Sequence, residues 1–300
     1  SEQPAQAAEA YFQLGRARLR AGLLEQALPL LAEAVALNPS ADEAWVDQGV
    51  ALARMGRFDE ARLSFDRALA INKGNVPALH NAASLHLRQG RLDFAYEGYR
   101  RVLERDPTHL PALRGMAEVR ATAGDLAGAR VWLARALRHD PRDLAARWMD
   151  ARIEKQSGNP EVAARALADL AAGAPPAAAN QMAMELADWG FTAPAIELLE
   201  RLARAQPEDA VALSNLAWLL GCAEDPTIRQ SARAQELAQT AARLRPRDPN
   251  VLYAWASVLR AAGAWDEVRR IASQAKALPM DAAQRRLWGA LEQGSGGPAP

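Results

Sequence analysis

The chain is poor in the residues that reaction chemistry most often uses. One cysteine, Cys222, in 300 residues excludes an internal disulfide framework and any multi-cysteine metal site. There are four histidines, His80, His86, His109 and His139; the first two are six residues apart, which on a helix puts them on different faces and argues against a shared metal. No Gly-rich phosphate loop, His-Glu-x-x-His or Gly-x-Ser-x-Gly occurs, so the signatures of nucleotide hydrolysis, zinc proteolysis and serine hydrolysis are missing. Charge of one sign is missing too. With 36 basic and 36 acidic residues no global field draws in nucleic acid or an anionic membrane, although residues 100–155 are mildly basic and 156–240 acidic. Of the basic residues only Lys73, Lys155 and Lys276 are lysines. No apolar run approaches a membrane span and no charged, apolar, small-residue leader opens the chain. The chain as given therefore reads as soluble. A start at Ser1 fits Met removal, a cleaved leader or an ectodomain cut from an anchor, with a periplasmic or membrane-tethered setting slightly favoured over the cytoplasm.

What is present is a ruler. Gly22, Gly56, Gly90, Gly124 and Gly158 recur every 34 residues, and Ala27, Ala61, Ala95, Ala129 and Ala163 follow each by five. A fixed period of this length marks an array of one supersecondary unit, which grows by addition and requires no domain break at 300 residues. One elongated domain is expected. Within each period two helices alternate. Trp45, Gly49 and Leu52 recur at helical spacing before Gly56, and Ala61, Phe65 and Ala68 after it. The glycine closes the first helix, where a left-handed residue turns the chain back. Gly49 and Ala61 are expected where the two helices of a pair cross, since a large side chain there would force the axes apart. Pro39, Pro107, Pro141, Pro175 and Pro207 end the repeats, and Lys73 is the exception.

These residues resemble the tetratricopeptide repeat. Tyr11, Leu14, Gly15, Ala27, Leu31, Ala34 and Pro39 match its pattern in the first repeat; Trp45, Gly49, Ala61, Phe65 and Ala68 match in the second; Leu79, Ala83, Ala95, Tyr99 and Pro107 match in the third, with Val102 in place of Ala. The fourth supplies Leu113, Ala117, Ala129, Leu133, Ala136 and Pro141. The resemblance implies an all-α, right-handed α-solenoid of about eight helix-turn-helix pairs with a C-terminal capping helix. The repeats are expected at 8–41, 42–75, 76–109, 110–143, 144–175, 176–209, 210–248 and 249–280, after an N-terminal tail at 1–7. Asp281 with Gln284 forms a plausible N-cap pair for the capping helix at 281–293, with Leu287, Trp288 and Leu291 on its apolar side. Residues 294–300 have no apolar content to bury and read as a disordered tail.

The register slips twice. Ala163 to Ala195 spans 32 residues and Ala195 to Ala234 spans 39. The fifth repeat is thus short by two residues, and the seventh gains five around Cys222 to Arg229. The insert reads as a tolerated surface loop ahead of a contact-making one, because insertions at helix turns cost little.

The acid pairs Asp42-Glu43, Asp59-Glu60, Glu208-Asp209 and Asp266-Glu267 each open a predicted helix, where carboxylates answer unpaired N–H groups and the helix dipole. Capping accounts for them better than acid–base work, and Cys222 reads as a bystander thiol. No enzyme, metal or cofactor is expected.

The groove remains. Fifth- and ninth-place residues share a stripe rotated from the packing stripe, and in the family that stripe lines the concave surface. It offers Phe12, Arg16, His80, Arg114, Trp148, Arg152, Trp218 and Tyr253 as the partner-binding row. Trp148 flanked by Arg114 and Arg152 is the most site-like cluster, since aromatic and Arg side chains anchor interfaces; Trp148 equally suits packing in the irregular fifth repeat. Trp45, Trp132 and Trp255 read as core. The family's carboxylate clamp for chaperone C-termini lacks its Lys, Asn and Arg here. Its sixth-place asparagine ladder survives only at Asn81 and Asn215. The expected function is non-catalytic: a scaffold or assembly factor holding a protein or extended peptide, not nucleic acid, and without direct membrane insertion. The alternative is the recognition arm of a larger enzyme or envelope-biogenesis complex, such as a glycosyltransferase or polysaccharide-export system, so membership of a membrane complex stays open.

Overall fold

The computed structural model describes residues 2–223 and 225–293. Contacts divide the chain into two compact units, Ser1–Ile153 and Glu154–Pro300, where additive growth predicts one domain. The division falls inside a helix.

The N-terminal unit contains four helix pairs and most of a ninth helix: α1 (Glu2–Arg20) with α2 (Leu24–Leu37), α3 (Asp42–Arg54) with α4 (Phe58–Ile71), α5 (Val76–Arg88) with α6 (Leu92–Arg105), α7 (Leu110–Thr122) with α8 (Leu126–His139), and α9 (Leu144–Gln156). The C-terminal unit continues with α10 (Pro160–Ala172), α11 (Pro176–Asp188), α12 (Thr192–Ala205), α13 (Ala210–Cys222), α14 (Ser231–Leu244), α15 (Pro249–Ala261), α16 (Trp265–Lys276) and α17 (Ala282–Gln293). No strand occurs among the described residues. Within each unit the fold is the expected all-α array of paired helices.

The ruler is a backbone requirement. Gly22, Gly56, Gly90, Gly124, Gly158, Gly190 and Gly263 all adopt positive φ, between 72° and 92°, which L side chains adopt only at a cost. The recurring alanines Ala27, Ala61, Ala95, Ala129, Ala163 and Ala195 are fully buried. Gly49, however, makes room for a ring: a Cβ there would lie 2.5 Å from Cε1 of Phe65. The nearest approach at Gly49 is thus to the Phe65 side chain on α4.

One boundary changes, and the helix starts gain detail. The segment 1–7, expected as a tail, is helical from Glu2; Ala5 and Ala7 favour helix, Pro4 sits in the first turn where it is tolerated, and Ala8 is buried. Asp209 caps α13 through the N–H groups of Val211 and Ala212. The pairs Asp42-Glu43, Asp59-Glu60 and Asp266-Glu267 stand in the first turns of α3, α4 and α16 as expected; in addition Asp42 accepts from the amides of Asn72 and Asn75, Glu60 pairs with Arg57 and Asp266 with Arg269.

The C-terminal end closes as the pattern predicts. The Gln284 N–H donates to Asp281 Oδ1 at 2.7 Å, and the Asp281 N–H to Gln284 Oε1 at 3.0 Å, a reciprocal capping box. Trp288 and Leu291 are buried in the core shared by α15 and α16. Leu287 is 49% exposed and lies off that face. The expected tail at 294–300 lies outside the described residues.

Candidate functional site

In the N-terminal unit the first helices of successive pairs carry the predicted row. Phe12 is buried in the core of α1–α3, and the Arg16 guanidinium lies 4.0 Å from its ring centroid. Arg16 reaches α3 and pairs with Asp47 at 2.7 Å and Glu43 at 2.8 Å. Burial opposes its charge, but the hydrogen bonds and charges of Asp47 and Glu43 outweigh it and raise its pKa. Around these groups α1, α3 and the start of α5 enclose a cavity of about 550 Å³, whose lining includes Arg16, Arg20, Glu43, Asp47, Asn72 and Asn75.

His80 is half-buried, 5.6 Å from the Tyr99 ring and 5.4 Å from that of His109. Its Nδ1 is buried with no hydrogen-bond partner among the described residues. Burial, then the neighbouring His109 and Arg114, pushes its pKa down to about 4, so the ring is neutral at pH 7. His86 stacks instead on Phe94, and the two histidines keep separate surroundings.

Arg114 is taken by Asp143, a 7% exposed carboxylate that also accepts from the N–H groups of Ala145 and Ala146 at the start of α9. Arg152 sits 4.9 Å from the ring centroid of Trp148. The expected flanking of Trp148 by two arginines is therefore resolved into an Arg152–Trp148 stack and a separate Arg114–Asp143 bond. Trp45 donates to the Pro39 carbonyl, Trp132 carries Arg135 over its ring, and Trp255 packs on the core as expected.

A recurring contact was not foreseen. Three fifth-place residues meet a residue 29 positions later at the start of the next first helix: His80 with His109, Arg114 with Asp143 and Asn180 with Asp209. His109 and Asp209 are the N-caps of α7 and α13. The sequence signal is the polar last place of the repeats, Asn75, His109, Asp143 and Asp209. These contacts tie neighbouring pairs together and use part of the row predicted to face a partner.

In the C-terminal unit Tyr253 packs edge-on against Trp288 of α17, with centroids 5.6 Å apart, so the terminal helix covers part of it. Trp218 on α13 is half-buried and lines a cavity of about 510 Å³ together with Asp188, Thr192, Cys222, Asp225 and Ile228. Cys222 lies near Arg229 and Arg260, but burial is the larger effect and pushes its thiol pKa up, the opposite of an activated nucleophile. Among the described residues no group of three or more His, Cys, Asp or Glu is placed to hold a metal ion, and no helix is long and apolar enough to cross a membrane.

Two family models, both described as tetratricopeptide repeat, match the chain, one over residues 12–76 and the other over 52–117 and 87–149. No curated protein matches it by sequence. Among solved structures it is similar to a tetratricopeptide repeat protein from Parabacteroides merdae ATCC 43184, with 18% identity over 96% of this chain and 99% of that one and a TM-score of 0.52. It is also similar to yeast Tom70, with 14% identity over 90% of this chain and 58% of that one and a TM-score of 0.68. A thermophilic protein of the same repeat class from Thermus thermophilus is 23% identical over 60% of this chain and 99% of that one, with a TM-score of 0.50. These likenesses concern the fold. With the 34-residue ruler, the positive-φ glycines and the paired helices, the matches place the chain in the tetratricopeptide repeat superfamily, whose fold is in general a protein-interaction scaffold.

Proposed function

We propose that the chain is a non-catalytic scaffold or assembly factor that holds an extended protein segment along its first-helix row. The observation that carries this reading is the cavity of about 550 Å³ between α1, α3 and the start of α5. Its guanidinium and carboxylate groups are mounted on α1 and α3 and its amides at the caps of α4 and α5, with ties such as Arg16–Asp47 and Asn75–Asp42. Groups of these types, held in place before binding, suit the polar backbone of an extended peptide and reduce the ordering cost of association. Arg20 is exposed beside them and makes no ion pair among the described residues. At the other end of the N-terminal unit, the Trp148–Arg152 stack supplies an aromatic–arginine anchor of the kind that dominates interfaces.

The test is selection from a random-peptide display library on the immobilised chain, followed by anisotropy titration of the enriched peptides. Arg20→Ala with Glu43→Gln, or Trp148→Ala with Arg152→Ala, is expected to weaken binding by about tenfold. Phe94→Ala on α6 is expected to leave it unchanged. No enriched peptide, or affinities insensitive to both first-helix variants, would contradict the reading.

A further inference from the structure

The seventh repeat departs from the ruler between α13 and α14, and the described residues of this insert, Ala223 and 225–230, are fastened. Arg229 donates through Nε and Nη2 to the Ala223 carbonyl at 2.9 and 2.6 Å. The Gln230 N–H reaches the Leu220 carbonyl at 2.9 Å. Asp225 Oδ1 accepts from the N–H and hydroxyl of Thr227 at 2.8 and 2.7 Å, which holds that carboxyl below its ordinary range. The fastened loop supplies Ala223, Asp225 and Ile228 to the cavity of about 510 Å³, opposite Ala187 and Asp188 at the end of α11. The cavity thus has an apolar floor, one indole and two exposed carboxylates.

Three other tryptophans carry one of the chain's own cations. Arg135 lies over Trp132 at 4.5 Å, Arg152 over Trp148 at 4.9 Å and Lys155 over Trp189 at 5.1 Å. Trp218 has no such cation among the described residues, and Asp188 has no ion pair there. The C-terminal ends of α11 and α13 add partial negative charge on the same side. Of the nearby cations, Arg229 is committed to the Ala223 carbonyl.

We propose that the cavity beside Trp218 receives an arginine side chain of a bound protein segment, its stem on the apolar floor and its guanidinium on the indole, facing Asp188 and Asp225. Arginine suits the site because a planar guanidinium stacks on an aromatic face and still donates to carboxylates. This assignment rests on the reading of the chain as a protein-binding scaffold, and names one side chain that the partner must present.

The experiment is fluorine NMR of the full chain labelled with fluorotryptophan, the Trp218 resonance being assigned by its loss in Trp218→Phe. The titrant is N-acetyl-arginine methylamide, compared with its neutral citrulline counterpart. The expected result is a saturating shift of the Trp218 resonance with the arginine amide, with citrulline weaker by about fivefold or more. Asp188→Asn with Asp225→Asn, which keeps the Thr227 bonds within reach of the asparagine oxygen, should abolish that preference. Should Trp218→Phe fold poorly, the same charge dependence is read from the resonance that the two asparagines alter. An equal response to citrulline, or shifts at other tryptophans only, would overturn the proposal. Because the probe is a single amino-acid amide, failure here removes the pocket alone, whereas failure of the peptide selection with a positive result here removes the extended-groove reading.

Discussion

The two compact units are built from one repeat but differ in how closely they keep to it. Ser1–Ile153 holds the unbroken 34-residue ruler, and all three family-model matches lie within it. Glu154–Pro300 contains both register slips, yet it folds into paired helices and keeps its turn glycines at Gly158, Gly190 and Gly263. The backbone turn and the small buried residue after it are thus sufficient to make a helix pair, and the spacing between pairs can change. In the N-terminal unit polar side chains on the first helices are spent on ties between repeats, such as Arg16–Asp47 and Arg114–Asp143. The C-terminal unit keeps such a tie at Asn180–Asp209, but its inserted loop also walls a cavity in which Trp218 and Asp188 have none among the described residues. Regularity serves the frame, and departure from it creates a place for individual recognition.

The largest expected effect is local loss of the frame. Phe65→Ala removes a buried ring from between α3 and α4 and is expected to cost about 4 kcal/mol. Hydrogen–deuterium exchange should show the lost protection concentrated in α3 to α5, with α13 to α16 unchanged, because repeats exchange stability mainly with neighbours. Uniform loss across both units would break the distinction between them. Trp288→Ala should mirror this in the C-terminal unit at about 3 kcal/mol, with α15 to α17 losing protection.

Glycine-to-alanine changes sharpen the comparison by sign. Gly49→Ala drives a methyl into Phe65 and should destabilise by about 1–3 kcal/mol. Gly289→Ala in α17, where an added Cβ meets nothing within 4 Å among the described residues, should stabilise by about 0.5–1 kcal/mol. Thermal melts of the two variants check both signs.

His80 gives the N-terminal unit a pH dependence of its own. Its folded pKa of about 4 lies below its ordinary value of 6.5, so the unfolded chain binds more protons between these values. The contribution is fully present above about pH 6.5 and is lost as pH falls towards 4. Partial exposure limits it to about 1–2 kcal/mol. Denaturant melts of the wild type and His80→Gln across that range should differ in slope, and identical slopes would contradict the assignment. Arg114→Gln, which removes the charge beside Asp143, should cost about 1 kcal/mol.

Much of this architecture is legible in the residues because it depends on local chemistry. Glycines at positive φ, alanines that must be small and the Asp281–Gln284 capping box report on their own few neighbours, and each keeps its spacing in the chain. The contacts across repeats are less legible. That Arg114 would go to Asp143, leaving Trp148 to Arg152, depends on the stagger of two helices 29 residues apart. The Trp218 cavity depends on how an insert folds back onto α11, and length alone reads it only as a loop. Leu287, counted on the buried side of α17, shows the same gap: periodicity names a stripe, but the neighbour's shape decides its width. The division within α9 falls close to the change from the mildly basic stretch 100–155 to the acidic stretch 156–240, but a charge change inside a continuous helix does not read as a boundary.

The central claim is that a partner lies along the first helices. Hydrogen–deuterium exchange of the full chain with and without a selected peptide tests it most directly. The account predicts added protection in α1, α3 and the start of α5, with the second helices α4 and α6 unchanged. Protection gained only in the second helices would contradict it.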